Sequence, residues 1–125
     1  MLRKESADGH PCIALVRARE DILLPGGGLD PGEDHQTAVI REIAEECAIR
    51  ARVTPSLGDA VQIVGGRDGK PVVEKHNRFF SGTIEGTLAQ EPEHEVLWLR
   101  ADDARRTATN ESHRWALTRW LRLNT

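Results

Sequence analysis

Three glutamates, Glu42, Glu45 and Glu46, stand at positions i, i+3 and i+4 of the run Arg41-Glu42-Ile43-Ala44-Glu45-Glu46. On a helix that spacing gathers three carboxylates on one face. Their repulsion costs about a few tenths of a kcal/mol per pair, and nothing in helix stability calls for it. A hard divalent cation turns the repulsion into coordination. Carboxylate oxygens suit Mg²⁺, which keeps waters and shares oxygens with substrate phosphates. Upstream, Pro25-Gly26-Gly27-Gly28 breaks regular structure and lets backbone approach a ligand closely. A carbonyl from this loop can reach the same cation. Glu33 lies eight residues before Arg41 and can fold back to hold its guanidinium, an orienting pair rather than a catalytic one. An isolated EIAEE reads best as a solvated helix face; the glycines, Glu33 and Arg41 reverse that reading.

The elements that must position these groups follow from pattern. From about Asp34 to Cys47 there is no Gly or Pro, and Gln36, Ile40, Ile43 and Cys47 recur at helical spacing, predicting a helix with a mostly apolar face opposite the glutamates. Cys12–Val16 and Ile22–Leu24 read as short strands before the glycine loop. Ile49–Val53 and Asp59–Val64 read as extended. Residues 65–71, GGRDGKP, form a strong turn and hairpin tip, with Val72–Ile84 returning. Residues 85–94 read as polar loop, Val96–Leu99 as a strand, Ala101–Arg106 as a brief helix. A last helix runs from Asn110 or Ser112 to Arg122. Residues 1–10 are polar and read as loose, supplying either a frayed strand or an edge for a dimer partner. Strands and helices interleave, so the fold class is α/β, with helices on a sheet.

A chain of 125 residues fits one domain spanning 1–125. The net charge of -3 gives no reason to expect a nucleic-acid polymer as partner. Two cysteines, Cys12 and Cys47, make neither a disulfide framework nor a metal pair. No apolar run approaches the roughly 20 residues that span a bilayer, and the N-terminal residues lack a secretory apolar segment. The expectation is a cytoplasmic protein without membrane contact, with a homodimer left open.

The pattern Gly27-x5-Glu33-x7-Arg41-Glu42-Ile43-x-Glu45-Glu46-x-Ala48-Ile49 resembles the Nudix box, G-x5-E-x7-R-E-U-x-E-E-x-G-U, where U is a bulky aliphatic residue. One defined position departs: Ala48 stands where the family has Gly. Leu24-Pro25-Gly26-Gly27-Gly28 also resembles the family's entry to the box. The resemblance implies the Nudix fold, a mixed β-sheet sandwiched between α-helices. It also implies a hydrolase that cleaves a nucleoside diphosphate linked to another moiety. By resemblance, Glu42, Glu45 and Glu46 ligate Mg²⁺ or Mn²⁺ with help from the Gly27 carbonyl, and Arg41, held by Glu33, orients the cluster. Glu42 is the box candidate for general base. The family often recruits a further Glu from a later loop; Glu91, Glu93 and Glu95 are available here, and Glu95 is preferred. The Ala48 departure touches helix termination, where positive φ is common, rather than a ligand.

Arg17 and Arg78, together with Lys75, fall on strands near the expected cleft and can contact phosphates, though solvated surface is as good a reading. Phe79 and Phe80 alternate across a strand, so one faces the core and Phe80 is assigned to the substrate. Trp98 reads as core or sheet surface. The five histidines show no metal spacing and read as surface or loop residues. Subfamily markers for ADP-ribose, diadenosine polyphosphate, coenzyme A or NADH are absent. The default substrate is therefore a small nucleoside triphosphate, oxidised forms included. The alternative is a non-catalytic nucleotide-binding or regulatory domain; intact box acids argue against it.

Overall fold

The chain is described by a computed structural model covering residues 1–124, without the side chains of Pro55, Ser56, Gln62, Val64 and Lys75. In order, it forms β1 (Leu2–Glu5), β2 (Pro11–Ala18), β3 (Asp21–Leu23), α1 (His35–Cys47), β4 (Ile49–Gly65), β5 (Val72–Thr87), β6 (Glu95–Arg100), α2 (Ala101–Thr107) and α3 (Glu111–Leu123). The strands make one mixed sheet in the order β3-β2-β1-β5-β4, with β6 on β2. All pairings are antiparallel except β1 with β5.

β2 explains why the sheet is covered twice. Its run Cys12–Val16 is apolar and buried throughout, as expected of a strand with protein on both faces. Ile13 and Leu15 point into one cluster with Leu57, Phe79, Ala104, Leu117 and Trp120, under α2 and α3. Ala14 and Val16 point into the other with Ile43, Cys47, Val53 and Phe80, under α1. The sheet is thus sandwiched between α1 and the α2–α3 pair. Complete burial of Leu57 and Leu117 stabilises the fold by about 1.5–3 kcal/mol each as an upper estimate.

Three expectations are revised. Residues 2–5 are a strand inserted between β2 and β5, with Arg3 opposite Ile13 and Leu2 opposite Gly82. Buried Leu2 is its anchor, and one apolar residue gives no periodicity to read. The two extended stretches around Pro55 are one strand, β4, whose register against β5 shifts between Thr54 and Gly58. A bulge is where a strand tolerates Pro. The buried side of α1 is Ala38, Ile43, Glu46 and Cys47; Gln36 is exposed, and Glu46 lies inside rather than opposite the apolar stripe. Among the described residues no helix is long and apolar enough to cross a membrane.

Candidate active site

The acids are delivered by the start and end of α1. Asp34 caps the helix, accepting the Thr37 N–H at 2.7 Å, which fixes the start of the register. Just before it, the loop 30–33 is closed by Glu33 N–H to the Asp30 carbonyl (3.0 Å) and Asp30 N–H to Glu33 Oε1 (2.8 Å). Glu33 is thereby aimed at Arg41. The guanidinium donates from Nε to Glu33 Oε2 at 2.8 Å and from Nη2 to Oε1 at 2.9 Å, a two-point fork. Arg41 holds the Glu33 carboxyl below the usual carboxylate range, and Glu33 in return raises the guanidinium's pKa. The remaining donors of Arg41 reach Glu42 Oε1 (2.9 Å), Glu45 Oε2 (3.2 Å) and the Gly28 carbonyl (3.2 Å).

At the other end, α1 stops at Ala48, in the left-handed region with φ 56° and ψ 40°, its N–H on the Ala44 carbonyl. The residue that departs from the box pattern therefore adopts the conformation the usual Gly would. The following strand and the 91–94 loop return over this end, through Glu93 N–H to the Glu45 carbonyl (3.0 Å) and His94 N–H to the Glu46 carbonyl (3.3 Å).

The glycine loop meets the acids from above. Gly26 N–H donates to Glu46 Oε2 at 3.1 Å. A Cβ on Gly27 would lie 2.7 Å from the Glu42 carboxyl, so this close approach needs a residue without a side chain. Glu46 is buried, and burial lifts its carboxyl to a pKa of about 7; the Gly26 N–H opposes this, while Glu42 and Glu93 reinforce it. A buried acid facing two others lacks a compensating positive charge.

The donor chemistry fits a hard divalent cation: carboxylates, backbone carbonyls and one acid kept proton-hungry by burial. Among the described residues no group of three His, Cys, Asp or Glu side chains is already gathered as a ligand cage. Glu42 and Glu45 are turned onto Arg41, and a cation would have to take them from it.

Beside the loop opens a cavity of about 430 Å³, walled by residues 23–29 and including His35, Asn77, Phe79, Asn110 and His113. Arg78 and Phe80 also line it, although Phe80 is a buried member of the core and Arg78 is paired with Asp59 at 3.1 Å. Arg17 does not line it: it sits opposite Glu95 across β2 and β6 and binds it at 3.0 Å on the exposed sheet surface. Glu95 is therefore engaged there, while Glu93 is the later acid whose charge acts on Glu46. The Lys75 side chain lies outside the described residues. Trp98 packs at the edge of the core with the Lys4 ammonium 4.2 Å from its ring centre. His35 and His113, both partly buried, line the cavity; His76 reaches its rim but stays on the exposed surface, 3.4 Å from Glu74. No spacing signal marked them, because they come from three separate elements. Cys12 and Cys47 are free and buried, and burial pushes the Cys47 thiol up to about 12.

The NUDIX domain family model matches residues 4–121. The chain belongs to the Nudix family. It is 34% identical over 79 residues to a candidate 8-oxo-dGTP diphosphatase of Bacillus subtilis (strain 168), a match covering 62% of this chain and 48% of that protein. This Nudix chain thus matches about half the length of that relative. Its fold is similar to that of a C. elegans Ap4A hydrolase, with a TM-score of 0.76 and 20% identity, covering 98% of this chain and 92% of the other. The E. coli dihydroneopterin triphosphate pyrophosphohydrolase matches with a TM-score of 0.76 and 18% identity, covering 100% and 94%.

Proposed function

We propose that the chain, working as one domain over 1–125, hydrolyses the pyrophosphate linkage of a small nucleotide, with a nucleoside triphosphate, oxidised or not, as the substrate class. The observation that carries this reading is the convergence of Glu42 and Glu46 on Gly26 and Gly27 at the wall of the cavity. The B. subtilis relative's name points to an oxidised purine triphosphate; the two solved structures carry names of other phosphoanhydrides.

In this reading Glu42, Glu45 and Glu46, with the Gly27 carbonyl, hold Mg²⁺ or Mn²⁺. When bound, such a cation neutralises pyrophosphate oxygens and acidifies a water. Glu33 fixes Arg41, and Arg41 sets where Glu42 and Glu45 stand. Burial keeps the Glu46 carboxyl dry, so its charge acts at short range without solvent screening. For the proton of the attacking water, Glu42 is the box candidate. Of the later acids, Glu93 is better supported than Glu95, because the backbone ties it to α1 and its charge reaches Glu46. Arg78 and Phe80 contact the substrate, and Arg17 remains with Glu95 on the sheet surface. The test is a panel of nucleoside di- and triphosphates, dinucleoside polyphosphates and sugar nucleotides, incubated with the purified chain in Mg²⁺, Mn²⁺ or chelator. Metal-dependent release of phosphate or pyrophosphate is expected from at least one compound. Binding without release from any would replace this reading with the regulatory one.

A further inference from the structure

The loop that meets the carboxylates hangs from β3, which is only three residues long and pairs with β2 through Asp21, Ile22 and Leu23. So short a strand cannot by itself fix the loop at its end. Its backbone is gripped a second time, by the segment leading into α3. Ile22 N–H donates to Thr109 Oγ1 at 2.9 Å, and Thr109 N–H donates back to the Ile22 carbonyl at 2.9 Å. Two residues on, Leu24 N–H donates to Nδ1 of His113 at 3.1 Å. Leu24 immediately precedes Pro25 and Gly26, and Gly26 is the residue whose N–H holds Glu46. The segment is itself anchored, since Arg114 donates to the carbonyls of Ala108 and Thr109 at 2.9 and 2.6 Å.

His113 is the member of this grip that also faces the cavity. Phe79 meets it edge-on at 5.8 Å and 85°, which fixes the ring plane. Because Nδ1 accepts a hydrogen bond, the neutral ring carries its proton on Nε2, a tautomer assigned from that bond. We propose that His113 is a positioning residue for the cleavage proposed above. Accepting Leu24 N–H from the first turn of α3, it sets the register of residues 25–28 against Glu42 and Glu46. The kinetic part of this inference rests on the hydrolase reading; the structural part does not.

The test exploits which ring atom does the work. An Asn side chain places its amide oxygen where Nδ1 lies, whereas Gln places it where Nε2 lies. His113→Asn, His113→Gln and His113→Ala are compared by amide hydrogen exchange over residues 22–29 and by turnover of the compound found in the panel. The loop should exchange about fivefold or more faster in the Ala and Gln variants, the worth of one such bond, and close to wild type in Asn. Turnover should change in the same order, with kcat down roughly tenfold in Ala and Gln, KM nearly unchanged, and recovery in Asn. Equal loop exchange in all four proteins, or equal loss of turnover in Asn and Gln, would overturn the proposal. Should the Ala variant fail to fold, the Asn-against-Gln contrast still decides. If the wild type cleaves nothing, the hydrolase reading fails while loop exchange alone still judges His113.

Discussion

The two ends of the candidate site, the carboxylate cluster and the cavity beside it, are built in opposite ways. At the carboxylate end, Gly27, Glu33, Arg41, Glu42, Glu45 and Glu46 come from one short stretch of chain, held by bonds between near neighbours and one helix register. At the other end, Asn77 comes from β5, Asn110 and His113 from the edge of α3, and Leu24 from the end of β3. Sites that break a bond need fixed distances among a few charged groups, which a single loop and helix can supply. Sites that recognise a base need a wall, and a wall is assembled from whatever elements the fold brings together. On the proposed reading, the chemistry is therefore local in sequence and the selectivity is not.

Substitutions at the two ends put that contrast to the test. The largest effect belongs to Glu46 in the metal-free protein. Its folded pKa of about 7 lies above the ordinary 4.5, so the folded state binds a proton that the unfolded state releases. Stability from this group is full below about pH 4.5, declines as pH rises and is lost above about 7, by an amount on the order of 3 kcal/mol. Glu33 and Asp34, held below their ordinary values, work the other way and only at lower pH. Urea unfolding at pH 5 and 8 should show the loss, and Mg²⁺ or Glu46→Gln should flatten it. A metal-free stability unchanged between those pH values would remove the case for an uncompensated acid at Glu46.

Next comes Glu33→Gln, which keeps one acceptor but removes the charge that fixes Arg41. Turnover should fall by roughly tenfold with KM little changed, the usual effect of disturbing a residue behind metal ligands. A pure KM effect would place Glu33 in substrate binding instead. At the far end, Asn77→Ala should raise KM by about fivefold, one hydrogen bond's worth, leave kcat alone, and do so unequally for different bases. A uniform loss across bases would show that this wall does not select. The smallest effect is Ala48→Gly. Relief of the left-handed strain at φ 56° should stabilise the protein by about 1 kcal/mol, seen as a rise of a few degrees in Tm, with turnover little changed. A large gain in turnover would mean that Ala48 distorts the site.

The same contrast governs what could be read from the sequence. The helix 35–47, its glutamate face, the Glu33–Arg41 pair and the left-handed stop at residue 48 were legible because each depends on residues within one turn or one loop. The inner position of β1, read only as a frayed strand or a dimer edge, was not, since its partners lie some ten and eighty residues away and its burial rests on Leu2. The inward turn of Glu46 was hidden because periodicity shows which residues share a face, not how far a helix rolls on its sheet. Arg17 and Glu95 were each assigned to the site separately; across β2 and β6 they face one another, and the pairing occupies both. The three cavity histidines carry no spacing at all, because the cleft gathers them from α1, β5 and α3.

Whether the acids of α1 break a phosphoanhydride bond, rather than decorate a helix, is decided by ³¹P spectroscopy. The signals of the panel's best substrate are followed with wild type and Glu46→Gln at equal concentration, in Mg²⁺ and again in excess chelator. Cleavage by wild type is expected only when Mg²⁺ is present, with a rate at least about 100-fold lower for a correctly folded Glu46→Gln protein. Cleavage at a similar rate by both proteins, or cleavage undiminished by chelator, would contradict a metal-dependent role for these acids.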